Sequence, residues 1–273
     1  MSENIYMFEP SEKEMIQAAM NARDTFKYFW RELSWEYRRI VPALDLSIVK
    51  FAFETEDKSE GVPSHEHMWI SEIKFDGIDI TGILMNQPNW IKSIREGDQI
   101  TQNANLLTDW MYTLEGRAYG GYSVNVMRAS MSPEERKGHD QAWGVEFGPP
   151  DEVLVTPYID KKPDGFLSKI FGKSHSKSSG ETINYPEHPM SINMGEKIRA
   201  ALSADSTSIN EADEDGWTMI QRESLAGNNN SVKILLEFGA DPGLVNPNGH
   251  SSTDLARIMG WNEVLQSLNG QNF

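Results

Sequence analysis

The segment DEDGWTMIQRESLAGNNNSVKILLEFGADP, from Asp213 to Pro242, is followed one step of 33 residues later by NPNGHSSTDLARIMGWNEVLQSL. Gly216 falls on Gly249, Thr218 on Ser251 and Gly227 on Gly260. A fixed period of this length marks a unit that cannot bury its apolar face alone and must stack on neighbours. Two full units are fewer than the roughly three that such an array needs to stand alone. A degenerate unit over residues 187–212, containing Met194 to Ile209, is therefore expected to precede units near 213–245 and 246–273.

Thr218, Gly227 and the run Ile234-Leu235-Leu236-Glu237-Phe238-Gly239-Ala240-Asp241 carry a resemblance to ankyrin repeats. They sit where such repeats have a turn threonine, an inter-helix glycine and a closing leucine-rich segment. There are departures: Met219 stands in place of the usual proline, Gln221 and Asp254 in place of histidine, and Glu223 where alanine is common. The resemblance implies an all-α repeat domain that presents turn tips and inner helices to another protein.

The first 160 residues have a different rhythm. From Pro10 to Ile40, Met15, Ala18, Ala22, Phe26, Phe29, Trp30, Leu33 and Tyr37 recur at helical spacing, and Ser11 with Glu14 forms a capping-box pattern. Pro42 ends the pattern because it has no N–H for the helix ladder. Alternating segments follow at 47–54, 67–75, 78–86, 98–102 and 120–128, with Asp76-Gly77 as a hairpin signal. Leu106 to Tyr112 suits a strand or a short helical piece, and 142–158 suits one or two further strands. Gly120-Gly121 reads as a bulge or tight turn before a strand. The expected architecture is an α+β domain over 1–160, with a long N-terminal helix and an antiparallel sheet, followed by a short all-α ankyrin-repeat domain over 187–273. Between them, 161–186 is rich in Lys, Ser and Gly and reads as a flexible linker.

Charge limits the partners. Of the net −16, residues 1–160 hold 15 basic against 27 acidic side chains, 161–194 hold 5 against 3, and 195–273 hold 5 against 11. Both parts expected to fold are acidic, so phosphate backbones and anionic lipid are repelled and a basic protein surface is attracted. The chain has no cysteine, which removes disulfides, thiolate nucleophiles and cysteine zinc sites. Its start, MSENIYMFEPSEKEM, lacks the basic and apolar regions of a secretory signal, and no run reaches ~18 apolar residues, so a cytoplasmic location is expected.

Glu66-His67-Met68-Trp69, Asp76-Gly77, Gly82 with Leu84, Asn86-Gln87-Pro88, Gly97-Asp98, Asp109-Trp110-Met111 and Gly120-Gly121-Tyr122 form a distinctive series between Ala22 and Arg128. In that order and spacing they resemble the uncharacterised bacterial YegJ-like domain family (domain of unknown function 2314). The resemblance supplies no mechanism. It implies the company of polymorphic-toxin immunity proteins, where ankyrin repeats also occur.

His65 and His67 would share one face of a strand, and Asp76, Asp109 or His139 would be needed to complete a zinc site. Neighbouring Pro63 and Ser64 place His65 in a loop, and no His-Glu-x-x-His pattern supports a metal, so none is expected. A serine elbow and a glycine-rich phosphate loop are also missing. No cofactor and no catalysis are expected.

The leading expectation is an immunity protein that binds and neutralises a cognate secreted antibacterial toxin, of the Rhs or type VI secretion kind; ADP-ribosyltransferases, nucleases and deaminases all suit an acidic inhibitor, since all bind anionic substrates. It would cover the toxin's basic active or substrate-binding cleft in a 1:1 heterocomplex. The candidate contacts are Asp213, Glu214, Asp215, Trp217, Asn246, Asn248, His250 and Trp261 on the repeats, with Glu66, Asp76 and Asp109 on the first domain. The indoles are included as aromatic anchors. The alternatives are an enzyme of unknown reaction with a repeat adaptor, or a generic protein-binding regulator.

Overall fold

The computed structural model describes residues 12–56, 59–158 and 185–270. The chain divides into two compact units, Met1–Val155 and Thr156–Phe273. The capping residue Ser11 and nearly all of the 161–186 segment lie outside the described residues.

The first unit opens with helix α1, Glu12–Glu36. Six strands follow: β1 (Leu44–Glu54), β2 (His65–Phe75), β3 (Asp79–Leu84), β4 (Gln99–Asn103), β5 (Leu107–Leu114) and β6 (Arg117–Gly120). They form one antiparallel sheet in the order β4-β3-β2-β1-β5-β6. The apolar stripe read from the sequence is the buried stripe: Ala18, Ala22, Phe26, Phe29, Trp30 and Leu33 are all inside. Phe26 meets Phe75 edge-on at 5.2 Å and Phe29 lies 5.6 Å from Trp110, so the helix is fixed to β2 and β5 by aromatic contacts. The Trp110 indole Nε1 also donates to the Ala22 carbonyl at 2.9 Å. On the opposite side of the sheet Ile48 and Met111 pack with Ala118, Val124 and Phe147, and Trp69 lies against this cluster.

The β2–β3 hairpin forms where Asp76-Gly77 indicated. Gly77 has φ 96°, and the Asp76 carboxylate accepts from the N–H groups of Ile78 and Asp79 at 2.9 and 2.7 Å.

Three local expectations are corrected. The segment 120–128 is a strand only to Gly120, and Tyr122–Ala129 is helix α2. Gly120 and Gly121 both have positive φ, and a Cβ on Gly120 would lie 2.2 Å from the Trp110 carbonyl oxygen, so the chain turns there against β5 into a helix. Pro133–Trp143 is helix α3, absent from the sequence reading although Ser132 and Glu135 cap it reciprocally. Residues 144–158 form no strand beyond an isolated bridge from Glu146 to Arg117. The segment meets β6 through only a few backbone bonds, at Glu146 and Leu154, and Arg128 pins its start by bonding Asp140 of α3 at 2.7 and 2.8 Å and the Gly148 carbonyl at 2.9 Å.

The second unit is helical: α4 (Pro189–Ala204), α5 (Met219–Ala226), α6 (Asn229–Glu237), α7 (Ser252–Ile258) and α8 (Asn262–Asn269). The sequence period is a structural period. Thr218 and Ser251 are the N-caps of α5 and α7. Gly216 and Gly249 have φ 82° and 79°, and Gly227 and Gly260 have φ 73° and 67°. Glu187 ties α4 to α6 by accepting from the Asn230 N–H at 2.7 Å and the Ser191 hydroxyl at 2.5 Å.

Candidate functional site

The turn tips of the second unit carry most of the residues singled out in the sequence. In the first tip, the Asp213 carboxylate accepts from the N–H groups of Asp215 and Trp217 at 3.0 and 2.9 Å. In the second, the Asn246 side-chain oxygen accepts from Asn248 and His250 at 3.1 and 2.9 Å. Main-chain bonds repeat as well, from Asp213 N–H to the Trp217 carbonyl and from Asn246 N–H to the His250 carbonyl. Asp213 and Asn246 thus build their turns through one oxygen each.

The first tip is acidic and exposed. Glu211, Asp213, Glu214 and Asp215 are all on the surface. The partner cation is Arg222, which bonds the Asp213 carboxylate at 2.9 Å and the Asp215 carboxylate at 2.8 Å. Burial works against ionisation of Asp213, but the Trp217 N–H and the Arg222 guanidinium hold its carboxyl below the ordinary range. One arginine against four carboxylates leaves this turn strongly negative. The second tip is neutral, with Asn248 exposed and His250 half-buried. The Nδ1 of His250 has no hydrogen-bond partner among the described residues.

The two aromatic anchors are not surface knobs. Trp217 and Trp261 are each 5% exposed. The Trp217 ring lies under the Arg222 guanidinium at 4.8 Å, and the Trp261 Nε1 donates to the Leu225 carbonyl at 3.0 Å. The short gap to Gly227 lets the Trp261 indole wedge between successive helix pairs, where a Cβ on that glycine would be 2.3 Å from the ring. The Trp261 indole is inter-repeat filling and the Trp217 indole is buried beside Arg222 of its own repeat, so both serve the packing of the array.

The three candidates on the first unit also serve the fold. Glu66 is 8% exposed, and its carboxylate accepts from the Asn89 N–H, the Asn89 amide and the Trp90 N–H between 2.8 and 3.1 Å, tying the 88–90 loop to β2. Asp76 shapes its hairpin. Asp109 is fully buried and accepts four hydrogen bonds, from the N–H groups of Trp110, Tyr122 and Ser123 and from the Ser123 hydroxyl at 2.6 Å. The structure does not bring these three together with one another.

What the sequence reading missed is the partner of Asp109. The Lys50 ammonium, 8% exposed on β1, donates to the Ser123 Oγ at 3.0 Å and sits over the Trp69 ring at 5.0 Å. The Ser123 hydroxyl bridges the two, accepting from Lys50 and donating to Asp109, and its backbone N–H opens helix α2 towards the Asp109 carboxylate. Burial lowers the Lys50 pKa while Asp109 opposes that, and burial raises the Asp109 pKa while Lys50 and Ser123 oppose it. A lysine beside a hydroxyl at a helix start is the chemistry of an activated serine, but here the hydroxyl proton is engaged by Asp109 and the group is enclosed. Nothing in the spacing of SIVKFAFE and GGYSVNVMR announces this contact, which spans 73 residues.

At the opening of β2, His65 and His67 are exposed, and the Ser64 hydroxyl lies 3.1 Å from the His65 Nδ1. The His67 ring approaches the Thr108 hydroxyl at 3.5 Å. Desolvation, then the Lys50 and His65 charges, lower the His67 pKa to about 4. Asp109 is consumed by α2, and His139 lies beside Asp140 at 3.0 Å, so neither joins the histidine pair. Among the described residues no group of three such side chains is placed to hold a metal ion. Nor, among them, is any helix long and apolar enough to cross a membrane.

Comparison with known proteins agrees with the two-part reading. Residues 12–147 match the family described as "Uncharacterized protein conserved in bacteria (DUF2314)". "Uncharacterized protein YegJ" of Escherichia coli (strain K12) is 26% identical over 70 residues, covering 26% of this chain and 46% of that protein. "NAD-capped RNA hydrolase NUDT12" of Homo sapiens is 31% identical over 72 residues, which is only 16% of that protein. A protein of Neisseria meningitidis serogroup B (strain ATCC BAA-335 / MC58) named "Putative ankyrin repeat protein NMB1133/NMB1171" is 38% identical over 264 residues, 97% of this chain and 96% of its own length. With 97% of the chain matched at that identity, the chain belongs to the family of this neisserial protein and carries a DUF2314 domain in the first unit.

Proposed function

We propose that this chain is a bacterial protein-binding module whose second unit is built of ankyrin-type repeats, and that it neutralises a cognate toxin in the cytoplasm as an immunity protein. The observation that carries the reading is the exposed acidic turn Glu211–Asp215, held in a fixed shape by Asp213 and Arg222. A pre-formed negative projection on a repeat scaffold suits a basic cleft, because its ordering cost is met in the free protein and its field speeds encounter. The full-length similarity to a protein named for ankyrin repeats supports a binding role for this array. The chain would act by covering the toxin's active or substrate-binding surface and would itself make or break no bonds.

Purification of the tagged full chain with the product of the adjacent gene tests the reading. A stoichiometric complex whose affinity falls with salt is expected, and no association at low salt would sink it. The competing reading, an enzyme with a repeat adaptor, has one observation in its favour, the Lys50–Ser123 contact. Under that reading Ser123→Ala abolishes a turnover that the folded protein shows; under ours the same variant leaves toxin binding unchanged.

A further inference from the structure

The two edges of the sheet are treated differently. Edge strand β6 is covered: Ala118 N–H donates to the Glu146 carbonyl at 3.0 Å and Gly120 N–H to the Leu154 carbonyl at 2.7 Å. Edge strand β4 has no such cover among the described residues. Its sequence, Gln99-Ile100-Thr101-Gln102-Asn103, contains no charge and no proline, the usual devices against strand pairing. No charged residue occurs from Gln99 through Thr108, although 24% of the chain is charged.

The register shows which backbone groups are open. Leu84 N–H donates to the Asp98 carbonyl at one end of β4, and Ala104 N–H donates to the Ile78 carbonyl at the other. Even-numbered residues therefore face β3, and strand alternation turns the N–H and C=O groups of Gln99, Thr101 and Asn103 outward. That set is symmetric about Thr101. We propose that β4 pairs antiparallel with β4 of a second copy of this chain, Thr101 opposite Thr101 and Gln99 opposite Asn103, joining two sheets into one.

A second copy suits this edge for three reasons. Pairing places no like charges opposite one another, which on the acidic remainder of the chain would oppose association. The strand is bounded by the Gly97 turn and by a 3-10 turn at Ala104–Leu106, so only one register uses its whole length, with about six new backbone hydrogen bonds. The Thr81–Thr101 hydroxyl contact at 2.8 Å would continue across the two-fold axis as a threonine row. Ile78 and Leu106, 38% and 55% exposed, flank the end of the strand and would gain cover. A strip of this size is below the ordinary area of a tight complex, so the dimer should depend on concentration.

The absence of cysteine makes the test direct. In the full chain, Thr101→Cys should give a disulfide-linked dimer on mild oxidation, because a hydrogen-bonded antiparallel pair holds its Cα atoms about 5.5 Å apart, within disulfide range. Gln99→Cys should not, because two copies of residue 99 would lie roughly 13 Å apart. Sedimentation should show a concentration-dependent dimer for the wild type and a monomer for Thr101→Pro, whose missing N–H is one that points outward. Thr101→Lys, which sets like charges face to face, should give the same result, with far-UV circular dichroism unchanged in either variant. A wild type that stays monomeric to about 100 μM, far above the concentrations at which specific complexes form, would overturn the proposal. So would a dimer that survives Thr101→Lys, equal cross-linking at residues 99 and 101, or an edge occupied by a strand of another protein while the chain alone stays monomeric.

Discussion

The Asp109 carboxyl and the Lys50 amine are buried together inside the first unit, joined through the Ser123 hydroxyl. Removing one partner of such a pair leaves the other buried without compensation. Asp109→Ala should therefore destabilise the first unit by about 3–5 kcal/mol in chemical denaturation, while Lys50→Met combined with Asp109→Asn should recover a large part of that loss. His67 gives a second prediction at this scale. Its folded pKa of about 4 lies below the unfolded 6.5, so the unfolded chain binds more protons between those values. Its contribution is complete above pH 6.5 and fades as pH falls towards 4. His67→Gln should flatten the stability profile in that window relative to wild type, and an identical profile would show that neither desolvation nor the Lys50 and His65 charges depress the ring's pKa. At the residue scale the sequence was legible where partners are local: Asp76 and Gly77 in their hairpin, Thr218 and Gly227 in their repeat. Glu66 and Asp109 looked like surface acids because their donors, Asn89 and Ser123, are brought to them only by the fold.

Equivalent positions in the helix pairs of the second unit make a natural experiment. Gly227 and Gly260 share a left-handed conformation, but only the first is crowded, by the Trp261 ring at 2.3 Å. Gly227→Ala should cost about 2–5 kcal/mol through steric overlap plus strain, whereas Gly260→Ala, with open space around it, should cost only about 1–2 kcal/mol. Equal melting shifts would mean that Trp261 does not occupy the inter-repeat wedge. Among strands and helices, those with a full apolar stripe or clean alternation were readable: α1, the β2–β3 hairpin and the 33-residue period. Helix α2 was not, because YSVNVMRA alternates apolar and polar residues as a strand would. What decides for helix is tertiary: the Asp109 carboxylate takes its first N–H groups. Helix α3 buries no side chain, so it offered no stripe and only its capping box marked it.

Across the whole molecule, acidity and repetition point the same way. Charge was readable in full from composition, but not its disposition: the structure converts Asp213 and Asp215 into an arginine-braced turn and leaves Glu211 and Glu214 facing solvent. Replacing Glu211 and Glu214 by lysine keeps that turn and reverses its outer charge. The pair of changes should slow association with a basic toxin about tenfold or more at low ionic strength, with little effect on dissociation. Trp217→Ala should instead lower the stability of the second unit, by about 3–5 kcal/mol, and affect binding only through folding. The central claim, that this chain works by occluding another protein, is tested most directly by inducing the adjacent gene's product in cells with and without it. Arrest of growth in its absence and recovery in its presence is the expected result. A neighbour that is harmless alone, or whose toxicity persists while the folded chain is abundant, would contradict the account.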